Sequence, residues 1–216
     1  MSKSLLIVHS SARKNRSHTR DLARVFTETW TANGGGKITE RDIGLTPPSI
    51  INEDWIAAVF TNPSELTDEQ RAVLAESDAL IEEIKAADVI ALGVPMYNYS
   101  MPASLKAWFD LIARVGVTFS FDLSRGDTPI EPILSGKKLV VLSSRGEFGF
   151  APGGERSHLN GLDPALAASA HYLGANASEM ETIAIEYEEF KDERWEKSLA
   201  AAQIRTAELA AALPAE

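Results

Sequence analysis

The sequence contains no cysteine, which excludes a disulfide framework, a thiolate metal site and a thiol nucleophile. No stretch approaches the roughly 20 apolar residues that a membrane-spanning helix needs, so no spanning segment is expected. Met1-Ser2-Lys3-Ser4 leads straight into Leu5-Leu6-Ile7-Val8. That apolar run is too short for a signal-peptide core and has no small-residue cleavage pattern behind it, so a cytoplasmic protein is expected. Basic residues are in deficit: 21 Lys and Arg against 31 Asp and Glu give a formal net charge of −10. Nucleic-acid binding normally needs a basic face, so the charge reads as a source of solubility and no nucleic-acid partner is expected. There is no internal repeat, no linker and no carboxylate or histidine cluster with metal-ligand spacing. The 216 residues, 44% of them hydrophobic, suit one domain, 1–216, with a full core.

Strand and helix patterns alternate throughout. Leu5 to Val8, Val89 to Val94 and Lys138 to Leu142 are continuously apolar, as in parallel strands buried on both faces. Lys37 to Ile43 suits an edge strand and Glu179 to Ile185 a further strand. Between them, Ser17 to Trp30 has helical spacing at Leu22, Val25, Phe26 and Thr29, and Asn33-Gly34-Gly35-Gly36 stops it. Thr67 and Gln70 have capping-box spacing before a helix with a stripe of Val73, Leu74, Leu80, Ile81 and Ile84. Pro102 opens another, carrying Leu105, Trp108, Phe109, Ile112 and Val115. That stripe reads as core, and its richness also suits burial against a second subunit. Helices are expected near Asp163 to Leu173 and Phe190 to Ala212, and a helical turn at Trp55 to Phe60. The succession predicts an α/β fold: a doubly wound, parallel, five-stranded sheet with helices on both faces.

In such a sheet ligands bind at the carboxyl ends of the strands, and three strand ends carry unusual residues. The first runs from Ser10 to Thr19. Ser17 and Thr19 place hydroxyls at a helix N-terminus, where free N–H groups favour a phosphate, and Arg13, Lys14 and Arg16 add positive charge. The alternative is an ordinary Ser N-cap with a solvated basic turn; His18 is expected to contribute its backbone N–H. The second, Pro95-Met96-Tyr97-Asn98-Tyr99, suits a flat heteroaromatic ligand better than a plain turn. The third, Ser143-Ser144-Arg145-Gly146-Glu147, permits close backbone approach. Arg145 is either a partner for an anionic ligand or a surface residue, and Phe148 and Phe150 either cover a planar ligand or anchor their loop. The acidic stretch from Glu186 to Glu193 reads as a solvated face.

Together Ser10-Ser11, Ser17-His18-Thr19, the Pro95 to Tyr99 loop, Phe109-Asp110, Gly116-Val117-Thr118-Phe119 and Gly136-Lys137-Lys138 leading to Ser144-Arg145-Gly146 carry a family likeness. Over essentially the whole chain it resembles the bacterial FMN-dependent NADH:quinone oxidoreductases, or azoreductases. The resemblance implies a flavodoxin-like fold and a homodimer with FMN at the subunit interface. It implies FMN contacts at Ser11, at Ser17, His18 and Thr19 around the phosphate, at Met96, Tyr97, Asn98 and Tyr99 along the isoalloxazine, and at Ser144, Arg145, Gly146 and Glu147 at the pyrimidine end. Glu147 stands where the family often has a second glycine, and the loop from Phe148 to Asn160 diverges. The activity implied is electron transfer from NADH or NADPH through flavin N5 to quinones or azo compounds, by a ping-pong course, with the cofactor carrying the chemistry and no catalytic side chain named. The rivals are a flavodoxin-type electron carrier, a redox-sensing regulatory subunit, and a flavin-free phosphate-ester hydrolase that lacks the usual nucleophile or metal cluster.

Overall fold

The computed structural model describes residues 2–215; Met1, which heads the N-terminal stretch, and Glu216 lie outside the described residues. The apolar runs form the middle of the sheet: β1 (Leu5–His9), β3 (Val89–Pro95) and β6 (Lys138–Ser144). With β2 (Ile38–Asp42) and β7 (Glu181–Ile185) they make a five-stranded sheet in the order β2-β1-β3-β6-β7, every pair parallel. Side chains alternate across each strand, so the sheet feeds two cores. Leu6, Val8, Ile90, Leu92, Leu139 and Val141 pack with α2 (Glu53–Val59), α3 (Asp68–Lys85), α4 (Ala103–Ile112) and α5 (Asp163–Ser169). Leu5, Ile7, Val89, Ala91, Val140 and Leu142 pack with α1 (His18–Ala32) and α6 (Glu193–Ala212). Burial on both faces is why these strands read as unbroken apolar runs.

The chain leaves β1 outward to β2 and then returns to β3 on the other side of β1. The connections leaving β1 and β3 therefore diverge to opposite faces, and a crevice opens between them at the carboxyl edge.

Side-chain caps mark the starts of α2, α3 and α6. Thr67 and Gln70 form the capping box, each side chain bonded to the other's backbone N–H. Asn52 caps α2, a full helix where only a turn at Trp55 to Phe60 was expected, and Asp192 caps α6. Other expectations are corrected. Val73 is exposed, because the buried face of α3 runs through Leu74, Ser77, Leu80, Ile81 and Ile84. The last helix begins at Glu193 and not near Phe190. Helix α5 is shorter than expected and continues as a 3-10 turn from Ala170 to Leu173. Beyond the sheet, β4 (Phe119–Phe121) pairs antiparallel with β5 (Ile130–Pro132) in a separate hairpin.

The apolar stripe of α4 is consumed by this chain's own core: Leu105, Trp108, Phe109 and Ile112 are all buried, and Val115 lies beyond the helix end. The β4–β5 hairpin and the turn that follows it instead expose the apolar side chains of Phe121, Leu123, Ile130 and Ile133, and Leu45, Ile50, Ile56 and Phe60 are exposed around α2. Among the described residues no helix is long and apolar enough to cross a membrane.

Candidate functional site

The loop after β1 is fixed from two directions. Ser10 donates from both its amide and its hydroxyl to the Gly93 carbonyl on β3, at 3.0 and 2.8 Å. From α1, Arg20 reaches back and donates to the carbonyls of Ser11 and Arg13, both at 2.8 Å. The same guanidinium forks onto Asp42 at 2.6 and 3.0 Å. Gly44 lies so close behind that a Cβ there would sit 2.1 Å from the Ser11 carbonyl oxygen. Burial would raise the Asp42 pKa, but the Arg20 hydrogen bond, the Leu45 amide and the charge of Arg20 outweigh it and hold the group below the usual carboxylate range. Burial, with the charge of Arg20, lowers the pKa of neighbouring His9 against the pull of Glu40 and Asp42.

Ser17 stands at the N-cap of α1, yet no side chain caps that helix. Its hydroxyl turns instead to Ser11 Oγ at 2.9 Å and lies 3.3 Å from Thr19 Oγ1. Three buried hydroxyls thus gather beside first-turn helix amides that no side chain caps, so Ser17 is not an ordinary cap. His18, on the first turn, has its Nε2 3.7 Å from Glu188 Oε1.

The loop after β3 starts with the Met96 amide donating to the Ser144 carbonyl at 2.8 Å, which joins the second and third strand ends. Tyr97 and Ser100 then exchange two backbone hydrogen bonds around Asn98 and Tyr99, whose φ angles are 49° and 65°. Two successive left-handed residues in a two-residue loop give the I′ turn. Asn tolerates that backbone; Tyr does not do so readily. The turn is held by the Gly161 amide on the Tyr99 carbonyl, 2.8 Å, and by the Tyr99 ring against Phe150 at 6.3 Å.

After β6, Arg145 takes neither role the sequence leaves open. It is 2% exposed, and its guanidinium donates to both Asp163 oxygens at 2.7 and 2.9 Å, with Glu186 at 3.7 Å. The side chain therefore clamps the loop from beneath. Phe148 and Phe150 anchor as well: Phe148 stacks on Tyr187 at 4.4 Å, and Phe150 is buried. Glu147 faces Arg156 at 3.7 Å.

The stretch from Glu186 is also corrected. Glu186 accepts from the Gly149 amide at 3.0 Å, Glu188 meets Arg13 and His18 at 3.5 and 3.7 Å, and Glu189 covers Gly146, where a Cβ would lie 2.8 Å from its Cγ. These carboxylates form a wall of the site. Sequence spacing hides this because the run mimics a solvated helix start, while β7 brings it beside β6. Arg20 and Asp42 were missed for the same reason, being 22 positions apart in the chain.

Two clefts result. One, of about 160 Å³, lies among Ser11, Ser17, His18, Met96, Tyr97 and Ser144. The other, of about 250 Å³, lies among Met96, Asn98, Tyr99, Gly146, Glu147 and Phe150. Met96 and Gly146 line both, so the clefts adjoin. Of the residues that the family resemblance assigns to FMN, Thr19 sits behind Ser17, Arg145 lies beneath, and the others line one cleft or both. Lys14 and Phe148, also singled out in the sequence, line neither. A separate cavity of about 560 Å³ lies at the amino end of β6. There the Lys137 ammonium is committed to the Lys85 and Ala87 carbonyls, so it is not offered to a ligand.

Two consequences are measurable. Asp163→Ala removes the main partner of a buried guanidinium and should cost about 3 kcal/mol in urea unfolding, the range for breaking a buried pair. Asp42→Asn should lower Tm at pH 7. Because the folded pKa of Asp42 is depressed, its contribution is present above the unfolded value of about 4. It is lost as the pH falls through the folded value, so the gap between variant and wild type should close there.

Comparison with known proteins agrees with this fold. The model of the flavodoxin-like fold family matches residues 3–208. FMN-dependent NADH:quinone oxidoreductase 2 of Colwellia psychrerythraea is 49% identical over 203 residues, covering 90% of this chain and 92% of the relative. FMN-dependent NAD(P)H:quinone oxidoreductase 1 of Pseudomonas aeruginosa is 38% identical over 208 residues, 95% of this chain and 97% of the relative. The crystal structure of an azoreductase from Bacillus anthracis superposes with a TM-score of 0.84 at 22% identity, over 97% of this chain and 99% of that one; at that identity the likeness speaks for the fold. By sequence along nearly its whole length and by the topology of its sheet, the chain belongs to the flavodoxin-like fold family and, within it, to the FMN-dependent NADH:quinone oxidoreductases.

Proposed function

We propose that the protein is an FMN-dependent oxidoreductase that passes two electrons from NADH or NADPH to quinones and aromatic azo compounds. The observation that carries the reading is the hydroxyl cluster at an uncapped helix N-terminus, opening onto a cleft that adjoins, through Met96 and Gly146, the one bounded by the Asn98-Tyr99 turn. The residues fit the cofactor. Ser11 and Ser17, backed by Thr19 and joined by the first-turn amides at His18, cradle the phosphate. Met96, Tyr97, Asn98 and Tyr99 lie along one side of the ring system, and Ser144, Gly146 and Glu147 close the other end. Arg145 contributes backbone there while its side chain fixes the loop.

Held by these residues, FMN would supply two-electron redox chemistry between a reduced nicotinamide and a quinone or azo acceptor. The chain's part is placement. Strand register aligns the three loops, the Arg20 fork sets the phosphate loop, and the paired Tyr97 and Ser100 hold a strained turn that would otherwise relax, at roughly 1–3 kcal/mol per left-handed residue. Donor and acceptor use the same open cleft in turn, which gives a ping-pong course. No side chain is required as acid or base for the hydride step.

The whole chain acts as one domain in this reading, in the cytoplasm where reduced nicotinamide is available, and as a homodimer. The hairpin carrying exposed Phe121, Leu123, Ile130 and Ile133 is the dimer surface, and a second copy is its occupant. The electron-carrier reading is not favoured, since relatives matched over nearly full length carry oxidoreductase names.

Added FMN should bind, bleach under anaerobic NADH and regain its colour with a quinone. Flavin that binds but ignores nicotinamide would replace this reading with the carrier. Asn98→Gly, which keeps the left-handed turn and removes the amide, should weaken FMN by roughly tenfold, the worth of one good hydrogen bond. Leu123→Glu should shift the sedimentation coefficient from dimer to monomer; an unchanged coefficient would remove the hairpin as interface.

A further inference from the structure

The phosphate cradle leaves the basic run Arg13, Lys14, Arg16 without a role, because its donors are hydroxyls and helix amides. Two of these cations, Arg13 and Arg16, line a third cavity of about 720 Å³, walled on its other side by Lys191 and Trp195 around the start of α6. That volume lies within the roughly 300–1,000 Å³ of small-molecule sites. The cavity shares Arg13, Arg16, His18 and Glu188 with the phosphate end of the cleft. The two spaces therefore meet at the first turn of α1, and a group joined to a phosphate in the cradle is led from one into the other.

The walls have a particular chemistry. Arg13 and His18 are held only loosely, both by the same Glu188 oxygen at 3.5 and 3.7 Å. Among the described residues neither Arg16 nor Lys191 has a carboxylate partner. Both sit in the left-handed region, with φ of 55° and 50°, a conformation that costs a non-glycine residue energy and persists where its surroundings impose it. The Trp195 ring lies 5.9 Å from the His18 ring, and its indole N–H is buried without a partner. In a protein of net charge −10, cations gathered on one cavity concentrate positive potential where an anion would enter.

Cations for phosphate, an aromatic face for a base, and a carboxylate of the kind that accepts from ribose hydroxyls meet in one space. We propose that this cavity is a second nucleotide subsite, which takes the adenosine phosphate end of a dinucleotide. It rests on the cradle reading above. Arg13, Arg16 and Lys191 hold phosphate, Trp195 faces the adenine, and Glu188 accepts from the ribose. The adenosine phosphate has two sources: a flavin extended through its pyrophosphate, as in FAD, or the nicotinamide dinucleotide that reduces the flavin.

The test titrates 5′-AMP by calorimetry, and FMN and FAD by flavin fluorescence, into wild type, Lys191→Glu and Trp195→Leu. AMP should bind the wild type, each variant should weaken it by roughly tenfold, and Lys191→Glu, which lies outside the cradle, should leave FMN affinity within about twofold of wild type. If FAD binds the wild type tighter than FMN and AMP displaces FAD alone, the extended flavin is the source. If FAD has no advantage and AMP competes with NADH in turnover, the source is the nicotinamide dinucleotide. No heat of binding at millimolar AMP, or AMP binding that neither variant weakens, overturns the subsite. Failure of FMN to bind strikes the cradle reading instead, and the AMP titration still decides the subsite by itself. Lys191→Glu is an exposed substitution, so it remains decisive if Trp195→Leu fails to fold.

Discussion

A buried guanidinium holds the functional edge together. Arg145 is in line with the sheet through its amide on the Ile185 carbonyl, and its own carbonyl accepts from the Glu188 amide. Its side chain meets Asp163 at the start of α5 and Glu186 beyond β7. One residue therefore joins the ends of β6 and β7, the following helix and the loop between them. A charge buried this deeply is tolerated only with partners, so the loops that supply those partners are fixed relative to the sheet. Asn160, which donates to Asp163 at 2.7 Å and to the Phe150 carbonyl at 3.1 Å, extends the same network into the glycine-rich loop.

The backbone is strained where that network ends. Among the described residues, the non-glycine residues with positive φ are Arg16, Asn98, Tyr99, Tyr187 and Lys191, and all border the clefts or the loop packed on them. Strain of this kind survives only where tertiary contacts outweigh it. The contacts are present: Gly161 holds Tyr99, and Phe148 with Phe190 and Arg194 encloses Tyr187. The core is free of such departures and provides the rigid support.

Electrostatically the site runs against the molecule. An acidic protein gathers Arg13, Arg16 and Lys191 around one cavity and faces them with a single carboxylate, Glu188. That carboxylate occupies the cations weakly, so an entering phosphate exchanges one soft anion partner for a stronger one.

The sequence by itself determined the sheet and its order of elements, because strands buried on both faces must be apolar at every position, as Leu5 to Val8 and Val89 to Val94 are. It also determined the capping box at Thr67, a contact that spans three residues, and the three strand-end loops, whose serines, tyrosines and asparagine serve no core. Tertiary structure alone decided what those loops do with their side chains. Whether Ser17 caps its helix or turns to Ser11, in a loop anchored by Gly93, whether Arg145 faces a ligand or Asp163, and whether Glu188 is solvated or set against Arg13 each depend on residues distant in the chain. The reason is physical: periodicity encodes which face of an element is buried, while the partner of a polar side chain is chosen by the register in which remote strands meet.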